Sequence, residues 1–260
     1  MKTIKKSDRD RPRRGIYILP NIFTSLNIFF GFYAVIASIN GNFQNAAFAI
    51  YIAAVFDLLD GKIARATNTT SKFGVEYDSL ADLISFGLAP GLAMYLWALQ
   101  PMGRFGWLAG FLFMVCGALR LARFNTHSGK ISSDYFVGLP IPAAACMTAA
   151  TILLWHKFGL AVENQRLVML IMLYVLAFLM VSNIKYNSFK KAELFHKINF
   201  NVLVAAILVL IFIAAQPSIA LFIIGLFYVL SGPFNAIFRH QKLKAEKPES
   251  HKAGKHETTP

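Results

Sequence analysis

Long apolar runs occupy most of the chain, and short stretches rich in charged and amide residues separate them. An apolar run of about 20 residues is long enough to cross a bilayer as a helix. The pattern predicts an all-α, polytopic membrane helix bundle with about eight transmembrane helices. These helices are predicted over residues 19–39, 43–63, 77–99, 104–124, 136–156, 165–183, 197–215 and 217–237.

Composition supports a membrane protein and suggests the domain boundaries. Hydrophobic residues make up 56% of the 260 residues and charged residues 15%, whereas about 25% of residues are charged in an average soluble domain. We therefore expect one transmembrane domain over 19–237, preceded by a basic cytoplasmic arm over 1–18. The segment 238–260 is charged and lacks apolar periodicity, so it is predicted to be a disordered basic cytoplasmic tail.

The formal net charge of +13 follows the order of the predicted spans. Of the 26 Lys and Arg residues, 23 lie in the terminal segments and in every second connection. The other connections hold only Arg104, Lys157 and Arg166. This asymmetry predicts that both termini are cytoplasmic. Topology and anionic lipid headgroups thus account for the charge, so no nucleic-acid partner is expected, and the bacterial inner membrane is the expected location.

Four aspartates lie in the stretch VFDLLDGKIARATNTTSKFGVEYDSLADLISFG, residues 55–87. Asp57 and Asp60 are three residues apart on the second predicted helix, and Asp78 and Asp82 are four apart on the third. Each spacing puts the two carboxylates on one helical face. Because the connection between these helices is short, they are predicted to be antiparallel neighbours whose four carboxylates converge on one cytoplasmic cavity.

Acids in a membrane segment indicate a function. An ionised side chain at mid-bilayer costs at least ~2.5–3.5 kcal/mol on insertion scales, and neighbouring carboxylates repel one another. Hard divalent cations such as Mg²⁺ or Mn²⁺ offset both effects and are often shared with substrate phosphates. The small residues Gly61, Ala64 and Gly74 leave room for a ligand, and Arg65 offers a fork of donors to phosphate. The alternative is simple ion pairing, for which the candidates are Lys62, Arg65 and Lys72.

The order Asp57-x-x-Asp60-Gly61-x-x-Ala64-Arg65, eight residues, then Gly74-x-x-x-Asp78-x-x-x-Asp82 resembles the signature of the CDP-alcohol phosphatidyltransferases. That resemblance implies an integral membrane enzyme with a six-helix catalytic core, which moves a phosphatidyl group from a CDP-linked lipid to an alcohol and releases CMP. It also implies a two-metal site, a homodimer and Asp82 as the general base. The implied metal ligands are Asp57, Asp60, Asp78 and Asp82, and the implied CDP-lipid-binding residues are Asp57, Gly61, Ala64, Arg65 and Gly74.

Further stretches resemble the membrane-embedded members of this family that use CDP-diacylglycerol and L-serine. They are LPNIFTSLNIFFGF, FGVEYDSLADLISFGLAP, GALRLARFN, YFVGLPIPAAA, MVSNIKYNSFK and FYVLSGP. Serine carries a carboxylate, so its site needs cations. The candidates for binding serine, at the cytoplasmic ends of the fourth and sixth helices, are Arg120, Arg123, Asn125, Lys185, Tyr186 and Ser188. These cations could instead follow the positive-inside rule and meet lipid phosphates.

Three other functions fit parts of the pattern. The acceptor could be glycerol 3-phosphate or inositol phosphate, since a phosphate also needs cations. The CDP-lipid could be an ether lipid, because both kinds share the CDP group. A cation transporter could use intramembrane acids, although the internal repeats typical of transporters are not visible.

Overall fold

The structure is a computed structural model that describes residues 18–67, 69, 71–127, 135–187, 204 and 215–253. The described residues are nearly all helical. The helices are α1 (Ile18–Ile39), α2 (Phe43–Ala66), α3 (Lys72–Met102), α4 (Arg104–His127), α5 (Ile141–Phe158), α6 (Arg166–Val181) and α7 (Pro217–Ala253). Two short strands, β1 (Tyr135–Val137) and β2 (Lys185–Asn187), pair antiparallel with Phe136 opposite Tyr186.

Six helices in the described part of the chain are long and apolar enough to cross a membrane. They are α1, α3, α4, α5, α7 and α6 with its preceding 3₁₀ turn. The predicted count of eight is therefore not confirmed. Helix α2 is present but is not among the six, and the predicted span 197–215 lies outside the described residues except for 204 and 215.

Helix α3 contains two π-helical segments, at Leu83–Leu88 and Tyr95–Leu99. A proline follows each of them within two residues, Pro90 after the first and Pro101 after the second. Proline lacks the N–H that would bond four residues back, and its ring crowds that carbonyl. The regular pattern of helical hydrogen bonds therefore loosens before each proline. The first π-helical segment begins directly after Asp82.

The predicted boundaries of the fifth and sixth spans, 136–156 and 165–183, need correction. Residues 135–137 form β1, and the helix begins only at Ile141. Gly138 has a φ of +79° and Pro140 is the N-cap residue, so the chain turns before it becomes helical. Helix α6 ends at Val181, and Lys185 and Tyr186 lie in β2, not at the end of a helix as predicted.

The last helix continues past its predicted end. Helix α7 runs through Ala253, into the segment predicted to be a disordered tail. Residues 242–247 read KLKAEK, and Lys, Leu, Ala and Glu are strong helix formers even without an apolar stripe. Apolar periodicity alone therefore marks the wrong end for this helix.

Small residues set the distances between helices. Helix α1 packs along α2 and also contacts α3. A Cβ at Gly31 of α1 would collide with Ser85 Oγ of α3. Where α3 crosses α4, a Cβ at Gly91 would lie 2.9 Å from the Gly110 oxygen, and one at Gly110 would lie 3.0 Å from the Gly91 oxygen. Such glycines let backbones touch, which is a main source of attraction between helices in lipid.

We expect Gly110→Ala to destabilise the bundle, because the new methyl group meets backbone that no side-chain rotation can move. The expected loss is ~1–3 kcal/mol in the free energy of unfolding, measured as a lower thermal midpoint in detergent. Gly159→Asn is the matched control: Gly159 ends α5 at a φ of +59°, a Cβ there meets nothing within 4 Å, and Asn tolerates this conformation. Equal midpoints for the two variants would contradict the close crossing.

Candidate active site

Helices α2 and α3 bring the four aspartates together. One carboxylate oxygen from each of Asp57, Asp60 and Asp78 lies within 4.8 Å of the others. Asp82, one turn after Asp78 on α3, interacts electrostatically with the other three acids. Three of the four predicted acids thus form one tight group.

The acids are held away from solvent by polar groups of α1. Asp60 and Asp82 are 4% and 8% exposed. The hydroxyl of Thr24 donates to Asp60 Oδ2 at 2.8 Å, and the amide of Asn27 donates to Asp82 Oδ1 at 3.4 Å. Hydroxyl and amide donors partly offset the burial of a carboxylate but do not cancel its charge.

One acid oxygen remains available for a ligand. Asp78 Oδ1 is buried and has no hydrogen-bond partner among the described residues. An unpaired buried carboxylate oxygen beside two further carboxylates is costly unless a cation completes it. The donor set consists of oxygens only, which suits a hard divalent ion. The residues present therefore fit a divalent metal.

A cavity of about 220 Å³ opens beside the acids. Its lining includes the motif residues Asp60, Gly61, Ala64, Arg65, Gly74 and Asp78. A Cβ at Gly61 would meet only the tip of Arg65, at 3.8 Å, so a ligand can approach the backbone there. The Arg65 Nε donates to the Gly61 carbonyl at 2.8 Å. Gly61 thus borders open space, whereas a Cβ at Gly74 would lie 3.2 Å from Ser71 Oγ and 3.7 Å from Asn21 Oδ1 of α1.

The rest of the cavity lining was not among the predicted site residues, although Asn21 and Asn27 at the start of the first helix could be expected either to cap backbone or to touch a nucleotide. The remaining lining residues are Pro20, Asn21, Thr24, Thr69, Ser71 and Val75. Within α1, Asn21, Thr24 and Asn27 recur every third residue in an otherwise apolar helix, which puts them on one face. That polar stripe is the signal that could have identified α1 as a wall of the site. Ser71 also caps α3, because its hydroxyl accepts from the Gly74 N–H at 2.9 Å.

Arg120 is the predicted serine-binding residue that lies nearest the acids. It is 9% exposed, and its Nε is buried with no hydrogen-bond partner among the described residues. Its guanidinium interacts electrostatically with Asp82 and with Tyr228 of α7. A buried arginine with an unused donor next to an acid is suited to binding an anionic group of a ligand.

Arg123 is engaged by the backbone. Its guanidinium donates to the carbonyls of Val181 at 3.0 Å and Val137 at 3.1 Å, and more weakly to those of Met180 and Ser182. It thereby satisfies carbonyls at the end of α6, which lack helical partners. Gly138 is needed beside it, because a Cβ there would lie 2.9 Å from the guanidinium.

The other predicted serine-binding residues lie apart from the acids or outside the described side chains. Asn125 donates to Ser79 Oγ at 3.0 Å and to Glu76 Oε2 at 3.4 Å, so it ties α4 to α3. Tyr186 is fully buried against α7 and donates to the Val229 carbonyl at 3.2 Å. Lys185 is described only as backbone, and Ser188 lies outside the described residues.

The packing of Tyr186 explains its state of ionisation. Its ring lies directly over Gly232 of α7, and its centroid is 5.7 Å from that of Tyr228. Burial, and to a smaller extent the neighbouring Tyr228, raise the pKa of Tyr186 to about 12. Its hydroxyl is therefore protonated at neutral pH and anchors the strand pair to the last helix.

Comparison with known proteins agrees with the geometry of the site. The profile of the CDP-alcohol phosphatidyltransferase family matches residues 17–181. A protein of Helicobacter pylori named CDP-diacylglycerol–serine O-phosphatidyltransferase is 37% identical over 239 residues, 92% of this chain and 99% of that protein. Proteins of the same name are 35% identical in Methanocaldococcus jannaschii, over 68% of this chain and 77% of that protein, and 33% identical in Bacillus subtilis, over 66% and 92%.

The matched region contains the acid cluster, the cavity and Arg120, and it ends where α6 ends. Six of the eight motif positions line one cavity, and the family profile covers more than half of the sequence, so this chain belongs to the CDP-alcohol phosphatidyltransferase family.

Proposed function

We propose that this protein transfers the phosphatidyl group of CDP-diacylglycerol to the hydroxyl of L-serine, which yields phosphatidylserine and CMP. The observation that carries the proposal is the carboxylate cluster beside a cavity lined by the family motif. Similarity to relatives named for this reaction, over 92% of the chain in one case, supports serine as the acceptor. Glycerol 3-phosphate and inositol phosphate remain the competing acceptors.

The cavity beside Asp60 and Asp78 is the proposed place of the CDP group. Gly61 and Gly74 leave space for the nucleotide, and Arg65 lies at the edge with donors suited to phosphate. The acyl chains would stay in the lipid. Asp57 would face the pyrophosphate, with Ala64 completing the wall.

Asp57, Asp60 and Asp78 would hold a divalent ion, Mg²⁺ or Mn²⁺, and Asp82 would complete a two-metal site. When bound, such ions neutralise pyrophosphate charge and stabilise the departing CMP. The unpaired Asp78 Oδ1 supports this assignment, because it is an oxygen without another partner.

Asp82 is the proposed general base. An alcohol is a weak nucleophile at neutral pH, so a carboxylate within reach must take its proton. The serine oxygen would form a bond to the lipid-bearing phosphorus as the bond from that phosphorus to the CMP oxygen breaks. The proton passes to Asp82, and CMP leaves as a phosphate monoester.

Arg120 is the proposed anchor for the carboxylate of serine. It is buried, has an unused donor and lies near Asp82. An acceptor held there by its carboxylate would have its hydroxyl near the base. We propose supporting roles for Arg123, Asn125 and Tyr186, because each of them donates to another part of the bundle, namely to Val181, Ser79 and Val229.

We further propose that the acids lie on the cytoplasmic side of a bacterial inner membrane, with both termini on that side and the protein acting as a homodimer. The distribution of Lys and Arg supports the orientation. The domain limits follow: a basic arm over 1–18, a catalytic bundle over 19–237 and a basic cytoplasmic tail beyond it.

Purified protein should release CMP from CDP-diacylglycerol only when a divalent metal and L-serine are both present. The panel should include glycerol 3-phosphate and inositol phosphate as competing acceptors. Phosphatidylserine should appear in an amount equal to the CMP. Release with one of the phosphorylated alcohols instead would replace serine as the acceptor and keep the acid chemistry. Asp82→Asn, which cannot take the proton, is the inactive control and should still bind CDP-diacylglycerol.

Arg120→Gln should raise the KM for L-serine at least about tenfold, because the serine carboxylate would lose a buried charged partner. The KM for CDP-diacylglycerol should change much less. Arg123→Gln is the matched variant three residues away, and it should lower thermal stability through the loss of its bonds to carbonyls of α6. An unchanged serine KM in Arg120→Gln would exclude Arg120 from the acceptor site.

Asp78→Asn should weaken Mn²⁺ binding, measured by electron paramagnetic resonance without substrate, by at least about tenfold, because an anionic oxygen is lost from the cluster. Glu76→Gln is the control on the same helix, since Glu76 accepts from Asn125 and lies outside the cluster. Equal Mn²⁺ affinity in both variants would show that Asp78 is not a ligand.

A further inference from the structure

Helix α1 carries two buried side chains that each donate to a different acid helix. Thr24 is 3% exposed and contacts Asp60 of α2, and Asn27 is fully buried and contacts Asp82 of α3. The two lie three residues apart and so share a face. Neither belongs to the eight-position motif. One helix thus reaches both halves of the acid cluster.

The hydroxyl of Thr24 has two possible acceptors and one hydrogen. The Pro20 carbonyl lies at 3.2 Å, and Asp60 Oδ2 lies at 2.8 Å. A carboxylate is the stronger acceptor because it is charged. The shorter distance and the charge both favour Asp60, so the hydroxyl fixes one oxygen of that acid.

A hydrogen bond joins the backbone of α1 to α3 at Asn27. The Ser85 hydroxyl donates to the Asn27 carbonyl at 2.9 Å. Gly31, one turn further along α1, brings the helix against the same serine. Ser85 is three residues after Asp82, so the Ser85 hydroxyl and the Asp82 carboxylate lie on one face of α3. Asn27 is therefore held in register with Asp82.

The amide of Asn27 is oriented by the acid. If the amide were reversed, its oxygen would face a carboxylate, so Nδ2 must point to Asp82. Asn27 Oδ1 is buried and has no partner among the described residues. A leucine of similar shape would avoid that unpaired oxygen. The Asn27 amide therefore does not stabilise α1 itself. Among the described residues, its side chain has one hydrogen-bond partner, Asp82.

We propose that α1 positions the reacting acids, with Thr24 orienting Asp60 for metal binding and Asn27 orienting Asp82 to accept the proton of the alcohol. The Asn27 part rests on the proposed function, whereas the Thr24 part requires only a metal. Both are positioning residues, since each acts through an acid. Groups that orient a metal ligand typically contribute 10–100-fold in affinity or activity.

Thr24→Val should weaken Mn²⁺ binding ~10–100-fold, because Asp60 loses the group that orients it. Binding is measured by electron paramagnetic resonance on full-length protein in detergent, without nucleotide, so a contact between Thr24 and CDP cannot produce the effect. Thr24→Ser keeps the hydroxyl and should restore most of the affinity. Unchanged Mn²⁺ affinity in Thr24→Val would overturn this half of the proposal.

Asn27→Leu should lower kcat ~10–100-fold and leave the KM values for serine and CDP-diacylglycerol within about threefold. Its thermal midpoint should change little, because the loss of the bond to Asp82 and the removal of an unpaired buried oxygen act in opposite directions. The kcat is measured with whichever alcohol the wild-type protein accepts, so this test does not depend on serine being the acceptor. A kcat like that of the wild type would overturn the role of Asn27.

Ser38→Ala is the control variant. Ser38 lies on the same helix, is 1% exposed and, among the described residues, donates to the Ala34 carbonyl alone, at 2.7 Å. It is 14 residues from Thr24, or roughly 21 Å along the helix. Mn²⁺ affinity and kcat should be unchanged in this variant. A general weakening of α1 would lower Mn²⁺ affinity in Thr24→Val and kcat in Asn27→Leu only in proportion to a fall in thermal midpoint. That result would show the proposal to be wrong.

Discussion

Repulsion between carboxylates in apolar surroundings is the constraint that organises this bundle. Asp57 and Asp60 lie on α2 and Asp78 and Asp82 on α3, and two of the four, Asp60 and Asp82, are almost fully buried. Such a group pushes its two helices apart unless other contacts hold them. The helix contacts around the site, and the bonds that α1 gives to both helices, supply that restraint.

The restraint comes from close packing of small residues. The buried positions of α1 and α2 include Ala34, Ala37, Ala46, Ala47 and Ala53, and these two helices make the most extensive contact in the structure. Lipid removes the usual gain from burying apolar side chains, so dispersion contacts between backbones that approach closely take its place. Large apolar side chains point outward instead: Phe29, Phe111 and Phe227 are 60%, 53% and 72% exposed. Their place is against the acyl chains.

The acid cluster could be predicted because its information is local. The aspartates are three residues apart on α2 and four apart on α3, and the connection between these helices is short. These local features are enough to predict that the four side chains lie together. Arg123, Asn125 and Tyr186 could not be assigned in this way, since their partners lie 58, 46 and 43 residues away in the chain. A cation at a helix end has the same sequence pattern whether it meets lipid, substrate or a carbonyl. The sequence GLPIP could have predicted the turn before α5. The apolar residues on both sides of it instead made the segment resemble part of one helix.

Arg120 and Arg123 show how one spacing produces two roles. Both lie on one side of α4, three residues apart, and both present a planar fork of N–H donors. Arg123 donates to three carbonyls at the end of α6 and to the Val137 carbonyl of β1, so its donors serve the fold. Arg120 lies one turn deeper, beside Asp82, where the helices supply no carbonyl to its Nε. A buried N–H without an acceptor carries a desolvation cost, so Arg120 keeps a donor that the described part of the fold does not use, and this donor is the reason for proposing Arg120 as a ligand-binding residue.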